Sequence, residues 1–283
     1  MSSTESLPEI ISLQDLMDAA LPGVWFRGQA NAAWALVPGV LRPLATVGAE
    51  LRDVLSLEVR INREFRRRAH QFLPRGPWES EVDLYVRAQH AGLPTRLLDW
   101  SENALAALFF AIEDLPATDG AFFVLRDTLA RPVSTEESDV IDRLVGSLFG
   151  FEGPGNLYGG ARSMLDASNP LPPMQLLPFV REGRMNQQSA RFTFHHNVDD
   201  WTGFELKQYL VPAKAKRHLE SELRRMNVTR MALFPDLDNL ARDLGRQMHR
   251  AATEVAADPA ARWLDRREPE LGAEVLDFPW SLS

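Results

Sequence analysis

The chain has 283 residues, 45% of them hydrophobic and 25% charged, and its formal net charge is −8. These values are typical of a globular protein with a sizeable core, and they argue against a disordered chain, a fibrous chain and a surface that binds nucleic acid all over. The sequence has no cysteine, no apolar run long enough to span a membrane and no secretion signal at its start, so we expect a cytoplasmic protein without disulfides.

The first seventy residues predict helices around one short strand. Residues 12–20 are typical of a short helix, and "VWFRGQ" (24–29) has strand composition, with "WALVPGV" (34–40) as its expected hairpin partner. Residues 50–72 predict an amphipathic helix. Its buried face is expected to contain Leu51, Val54, Ile61, Phe65 and Phe72.

The stretch "AQHAGLPTRLLDWSENALAALFF" (88–110) predicts a junction of three elements. A helix that begins after Ser80 ends at Gly92, because glycine suits the C′ position and Pro94 forbids continuation. "TRLLDW" reads as a buried strand, and Ser101 is expected to cap a helix that is apolar on nearly all sides.

The remaining sequence predicts further strands and helices without a regular βαβ rhythm. We therefore predict an α+β fold with a single mixed or antiparallel sheet and flanking helices. The predicted domain spans 1–257, with a core at about 20–245 and a glycine-rich insertion at about 127–172 that could act as a lid. An irregular tail is expected over 258–283.

Arg27 is the first candidate binding residue. Strand alternation puts it on the same face as Trp25, and a guanidinium inside an apolar strand needs an anionic partner. That partner is either a ligand or an internal carboxylate such as Asp99. Gly28 lets a ligand or a neighbouring backbone come close, and Gln29 completes the motif.

A second group of candidates lies at the helix-to-strand turn, where polar side chains can converge on a pocket. His90 ends the helix, and Asp99 and Ser101 have ordinary capping roles as the alternative to a functional one. The candidates here are His90, Thr95, Arg96, Asp99 and Ser101.

Two glutamines and two histidines occur later in the chain. Gln187 and Gln188 can bond an amide, a base or a sugar hydroxyl, although a polar turn explains them equally well. His195 and His196 alternate across a strand and cannot chelate one metal together, so we expect no metal cofactor.

Four blocks occurring in order give the sequence a family resemblance. They are "WFRGQANAAWALVPGVLRP", "AQHAGLPTRLLDWSENALAALFFAI", "RMNQQSARFTFH" and "LRRMNVTRMALFPDLDNLA". Together they resemble the FRG domain family of bacterial and phage-encoded proteins, named for the motif that stands here as Phe26-Arg27-Gly28. The resemblance covers roughly residues 20–245 and implies a setting in toxin activity or phage defence.

A more remote resemblance is to the ADP-ribosyltransferases, which implies a split sheet and NAD as substrate. By position, Arg27 would hold the phosphate side of NAD, Ser101 or Thr95 would organise the nicotinamide pocket, and Gln187 or Gln188 would contact the ribose. The late strands have no E-x-E, which leaves His90 or Asp99 as the base.

Two hypotheses follow. In the first, the chain is an NAD-consuming ADP-ribosyltransferase or NAD glycohydrolase with an unidentified protein or nucleic-acid acceptor and no membrane partner. In the second, it is a non-catalytic module that senses a nucleotide or nucleic acid, and the polar cluster mainly stiffens the core.

Overall fold

The computed structural model describes residues 6–69, 71–72, 81–127, 144–146, 148, 173–176, 190–196, 201, 204–235 and separate positions from 237 to 252. The chain divides into two compact units, Met1–Leu233 and Phe234–Ser283. The described positions from 237 onwards in the second unit are helical, whereas the predicted boundary at 257 and the tail lie outside the described residues.

The described strands are β1 (Trp25–Gln29), β2 (Leu97–Ser101), β3 (Gly120–Asp127), β4 (Met174–Leu176), β5 (Ala190–Phe194) and β6 (Phe204–Val211). They form one antiparallel sheet with the order β4-β5-β2-β1-β3-β6, so the predicted α+β class is confirmed. With β1 and β2 at its centre, the sheet brings the F-R-G motif beside the strand of the second block.

Helices flank the sheet, and none in the described part of the chain has the length and apolar character of a membrane span. They include α1 (Leu13–Ala19), α2 (Arg42–Val47), α3 (Leu51–Ala69), α4 (Glu81–His90), α5 (Ala104–Ile112), α6 (Ala213–Arg225) and α7 (Arg230–Leu233). A 3-10 helix, Gly39–Leu41, precedes α2. Gly92 follows α4 with φ of 91°, the left-handed conformation that the sequence predicted.

The predicted hairpin partner of β1 is wrong. Residues 34–40 contain no strand, and β1 pairs instead with β2 and β3. Pro38 cannot donate a ladder hydrogen bond, so this segment turns into the 3-10 helix. That helix packs on the junction before β2, where the Val40 amide donates to the Thr95 carbonyl at 3.2 Å.

The buried face of α3 also differs from the prediction. Ile61 is 40% exposed and Phe72 is 83% exposed, whereas Glu58 and Asn62 join Val54 in the interior. Residues 54, 58 and 62 are spaced by four, so they share one side of the helix. Hydrophobicity alone misassigned this face because a buried carboxylate is stabilised by a partner from another element.

The two faces of the sheet have different coverings. On one face Phe26 stacks on Phe122 at 5.7 Å between ring centroids, and α5 lies close above Gly28. A Cβ at Gly28 would stand 1.9 Å from the Ala107 carbonyl oxygen, so glycine permits this close packing. The other face contains Trp100 and Phe123 in a core to which Trp25 and Trp201 contribute, and this is the face of Arg27.

Candidate functional site

Arg27 extends from β1 towards Asp99 in the middle of β2 and is largely shielded from solvent. Its side chain is 15% exposed, and its Nη1 donates to the Asp99 carbonyl oxygen at 2.7 Å. The nearest carboxylate oxygen, Oδ2 of Asp99, is 3.8 Å away on a side chain that is 52% exposed. Nε is buried and has no hydrogen-bond partner among the described residues, so the guanidinium has donors left to offer.

The pairing of β1 and β2 explains how Arg27 reaches this carbonyl. These strands pair at a single position, Phe26 with Ser101, whereas β1 pairs with β3 along its whole length. The β1–β2 pairing does not continue to Asp99, and there the Arg27 side chain donates to the Asp99 carbonyl. We call the place where β1 and β2 cease to pair, next to Arg27 and Asp99, the opening, and we take it as the candidate site.

The site has an excess of positive charge. Burial lowers the pKa of Arg27, the negative charge of Asp99 opposes that change, and the nearby charge of Arg42 adds to it. Arg42 is exposed at the start of α2, and no carboxylate of the described residues lies within 4.0 Å of it. Two guanidiniums and one half-exposed carboxylate favour an anionic ligand.

Gln89 joins the Asp99 carboxylate to the turn before β2. Its Nε2 donates to Asp99 Oδ2 at 2.9 Å, and its Oε1 accepts a hydrogen bond from the Thr95 hydroxyl at 2.5 Å. Gln89 was not among the predicted site residues; the next residue, His90, was, and it lies exposed at the end of α4. The available signal was the Gly92 turn, which folds the chain back so that Thr95 meets the last turn of α4.

Gln29 offers a second unfilled group on the Arg27 face of β1. Arg27 pairs with Phe123 and Gln29 pairs with Ala121 on β3. Because the two residues of β1 are two positions apart, their side chains lie on the same side of the sheet. Gln29 is 7% exposed, and its Oε1 has no hydrogen-bond partner in the described part of the chain. A buried carbonyl oxygen without a donor is costly, and a ligand with an N–H or O–H group would satisfy it.

Arg96 lies apart from this opening, in a buried ion pair. The side chains of Arg96 and Glu58 are 0% and 1% exposed, and Nη2 lies 2.7 Å from Oε2. The Tyr85 hydroxyl donates to Glu58 at 3.0 Å, and a backbone carbonyl, that of His196, accepts from Arg96 Nη1 at 2.7 Å. These contacts connect α3 and α4 to the start of β2. The surroundings of Arg96 are therefore those of a residue that stabilises the fold.

Gly28 and Ser101 lie on the α5 face of the sheet. Gly28 was expected to let either a ligand or a neighbouring backbone come close. The structure shows the second, since the backbone of α5 packs against it. The prediction that Ser101 caps α5 is wrong, because Asn103 is the N-cap and its Oδ1 accepts from the Leu105 amide at 3.0 Å. Ser101 still contributes, since its hydroxyl accepts from the Asn103 amide at 3.0 Å.

Gln187 and Gln188 lie outside the described residues, as does most of the glycine-rich insertion, so their predicted roles stay predictions. His195 follows β5 in the interior, where its Nε2 and the Thr193 hydroxyl are 2.8 Å apart. In the described ranges no three His, Asp or Glu side chains cluster in a way that could hold a metal ion.

The segment that builds the candidate site matches a known family. Residues 22–120 match the model of the FRG domain family. The chain carries an FRG domain. This FRG domain includes Arg27, Gln89, Thr95 and Asp99 as well as the Arg96–Glu58 pair, so both polar groups belong to the matched segment. No curated protein and no solved structure matches the chain.

Proposed function

We propose that the FRG domain binds NAD at Arg27 and cleaves its nicotinamide–ribose bond, as an ADP-ribosyltransferase or an NAD glycohydrolase. One observation carries this proposal. A shielded guanidinium with unused donors stands beside a carboxylate that Gln89 already holds in place, and the charge of Arg42 acts on the same guanidinium. Arginines of an ordinary structural ion pair have their donors filled, as Arg96 does.

Arg27 and Arg42 supply the charge for the pyrophosphate of NAD. Guanidinium groups bind phosphate oxygens with paired, charge-assisted hydrogen bonds, and Arg27 has Nε and Nη2 available for such a pair. Because the side chain of Arg27 is only 15% exposed, these hydrogen bonds would form where water competes poorly for the guanidinium.

Asp99 supplies the negative charge that the reaction requires. When the C1′–N bond breaks, its electron pair leaves with nicotinamide and positive charge develops on the ribose, which a nearby carboxylate stabilises. Water or an acceptor group then bonds to C1′ and loses a proton. His90 at the end of α4 and Gln187 or Gln188 are the proposed proton acceptor and ribose contacts, respectively.

The proposed setting is that implied by the family resemblance, a bacterial toxin or phage-defence protein that works in the cytoplasm. The acceptor of the ADP-ribosyl group would be water, a protein or a nucleic acid. The charge of −8 disfavours an acceptor recognised only through a broad basic surface.

The test uses the full chain incubated with NAD, with released nicotinamide measured by chromatography and NAD binding measured by calorimetry. Arg27→Met should lose binding and release, whereas Asp99→Asn should lose release and weaken binding by no more than about tenfold, because only one hydrogen bond to a charged group is affected. Arg52→Met is the matched control, because its side chain is 72% exposed on α3. If wild type neither binds NAD nor releases nicotinamide, the proposal is wrong.

A non-catalytic sensor of nucleotides or nucleic acid is the second candidate, and one observation favours it. Apart from Asp99, no carboxylate of the described residues lies within 4.0 Å of Arg27. A site with one carboxylate, already engaged by Gln89, is well suited to binding without turnover. NAD binding that depends on Arg27, with no nicotinamide released at any enzyme concentration, would select this candidate.

A further inference from the structure

We propose that Gln89 is a positioning residue that orients the Asp99 carboxylate so that its free oxygen, Oδ1, accepts a hydrogen bond from a ribose hydroxyl of the bound nucleotide. This inference rests on the proposed function, since it concerns the same site. It assigns the nucleotide's sugar to Asp99 and its phosphate to Arg27, and it gives a role to a residue that lies outside the F-R-G motif.

The hydrogen bonds of Thr95 fix which way the Gln89 amide points. The Leu97 amide donates to Thr95 Oγ1 at 3.1 Å, and Oγ1 lies 2.5 Å from Gln89 Oε1. A hydroxyl has one proton, so the Thr95 proton goes to Oε1, and the amide nitrogen must lie on the opposite side. Thr95 is 0% exposed, and this anchor is therefore shielded from solvent.

The amide nitrogen in turn holds one oxygen of the carboxylate. Gln89 Nε2 lies 2.9 Å from Asp99 Oδ2 and 3.4 Å from the Leu97 carbonyl oxygen, both of which are acceptors. A flipped amide would put its oxygen against these two acceptors and would be repelled. The carboxylate is thus fixed through Oδ2 by a chain of bonds that begins at a buried backbone amide.

The other carboxylate oxygen stays available for a ligand. No described residue donates to Asp99 Oδ1, and the Asp99 side chain is 52% exposed. The Arg27 guanidinium lies beside this carboxylate, since its Nη1 is 3.8 Å from Asp99 Oδ2, and its Nε has no hydrogen-bond partner among the described residues. A ligand with a hydroxyl a short distance from an anionic group fits both residues, and a nucleotide has that arrangement in its ribose and phosphate.

A merely structural role for Gln89, tying α4 to β2, predicts something different. Loss of such a tie would loosen the whole opening and would weaken every ligand of the site alike. A positioning role affects only those ligands that contact Asp99. Inorganic pyrophosphate, which has no hydroxyl, and NAD, which has ribose hydroxyls, therefore separate the two roles.

The experiment measures the affinity of the full chain for NAD and for inorganic pyrophosphate by calorimetry. Gln89→Leu should weaken NAD binding about tenfold, the loss expected for one hydrogen bond to a charged group, and should leave pyrophosphate binding within about twofold. Thr95→Val should act in the same direction as Gln89→Leu, whereas Thr95→Ser keeps the hydroxyl and should behave as wild type. Retained pyrophosphate binding shows that each variant is folded.

The outcomes separate this inference from the proposed function. If Gln89→Leu binds NAD as well as wild type, or loses both ligands equally, the positioning role is wrong. If in the same experiment Arg27→Met loses both ligands, the proposed binding at Arg27 survives. If wild type binds neither NAD nor pyrophosphate, the proposed function fails and this inference fails with it.

Discussion

Substitution of two arginines, Arg96 and Arg27, by methionine should destabilise the fold to very different degrees. Arg96→Met and Arg27→Met both replace a guanidinium with an unbranched apolar side chain of similar reach. Arg96 leaves behind Glu58, whose side chain is 1% exposed, whereas Arg27 leaves behind Asp99, whose side chain is 52% exposed. The comparison therefore measures how much each ion pair contributes to folding.

The expected magnitudes differ several-fold. Removing one partner of a buried ion pair costs about 3–5 kcal/mol, because the remaining charge is left in the interior with only the Tyr85 hydroxyl as a donor from the pair's own network. Removing Arg27 should lower the free energy of unfolding by about 1 kcal/mol or less. Water can solvate the half-exposed Asp99 carboxylate in its place, and the unfavourable burial of the Arg27 charge disappears. For a chain of this size, each kcal/mol shifts Tm by roughly 2–4 °C.

The assay is thermal unfolding of wild type and the two variants under identical conditions. Arg96→Met should lower Tm by roughly 6–20 °C, and Arg27→Met by roughly 4 °C or less. A double variant, Arg96→Met with Glu58→Leu, should recover part of the loss because no buried charge remains. Equal shifts for the two single variants would refute the division of this region into a structural pair and a ligand-binding arginine.

Two further predictions concern packing and pH. Gly28→Ala should destabilise the fold by at least about 3 kcal/mol in urea denaturation, because the new Cβ would meet the backbone of α5, whereas Gly245→Ala, with no atom within 4 Å, should stay within about 1 kcal/mol. Ser12→Ala should cost about 1 kcal/mol at pH 7. The Ser12 hydroxyl and the Ile11 amide lower the pKa of Asp15 below 3.8, so the stability it contributes is present above that pH and is lost as the pH falls through the folded value. The gap between wild type and Ser12→Ala should narrow at pH 3, and a gap that is unchanged would contradict the role of the Asp15 charge.

Local sequence patterns determined much of the framework. The alternation in "VWFRGQ" correctly put Arg27 and Trp25 on one face, and Gly92 with Pro94 correctly marked the end of α4. The mixture of strands and helices without a βαβ rhythm indicated the α+β class. Such features depend on residues a few positions apart, so they can be read from the chain without knowledge of its partners.

The choice between buried and accessible charges came only from tertiary contacts. Arg96 and Arg27 look alike in sequence, but Arg96 finds Glu58 38 residues away on α3 and Arg27 finds the Asp99 carbonyl 72 residues away on β2. The misassigned face of α3 has the same origin, since Glu58 is stable in the interior only because Arg96 is there. Gln89 was missed because its importance depends on how the turn after α4 folds back.

The sequence by itself therefore determined the α+β class, the end of α4 and the sharing of one face of β1 by Trp25 and Arg27. The tertiary structure decided which strands lie beside β1, how far their ladder extends and which carboxylate each guanidinium meets. The physical reason is that periodicity sets the direction of a side chain relative to its own element, whereas the free energy of a charge depends on partners and solvent brought together by the whole fold.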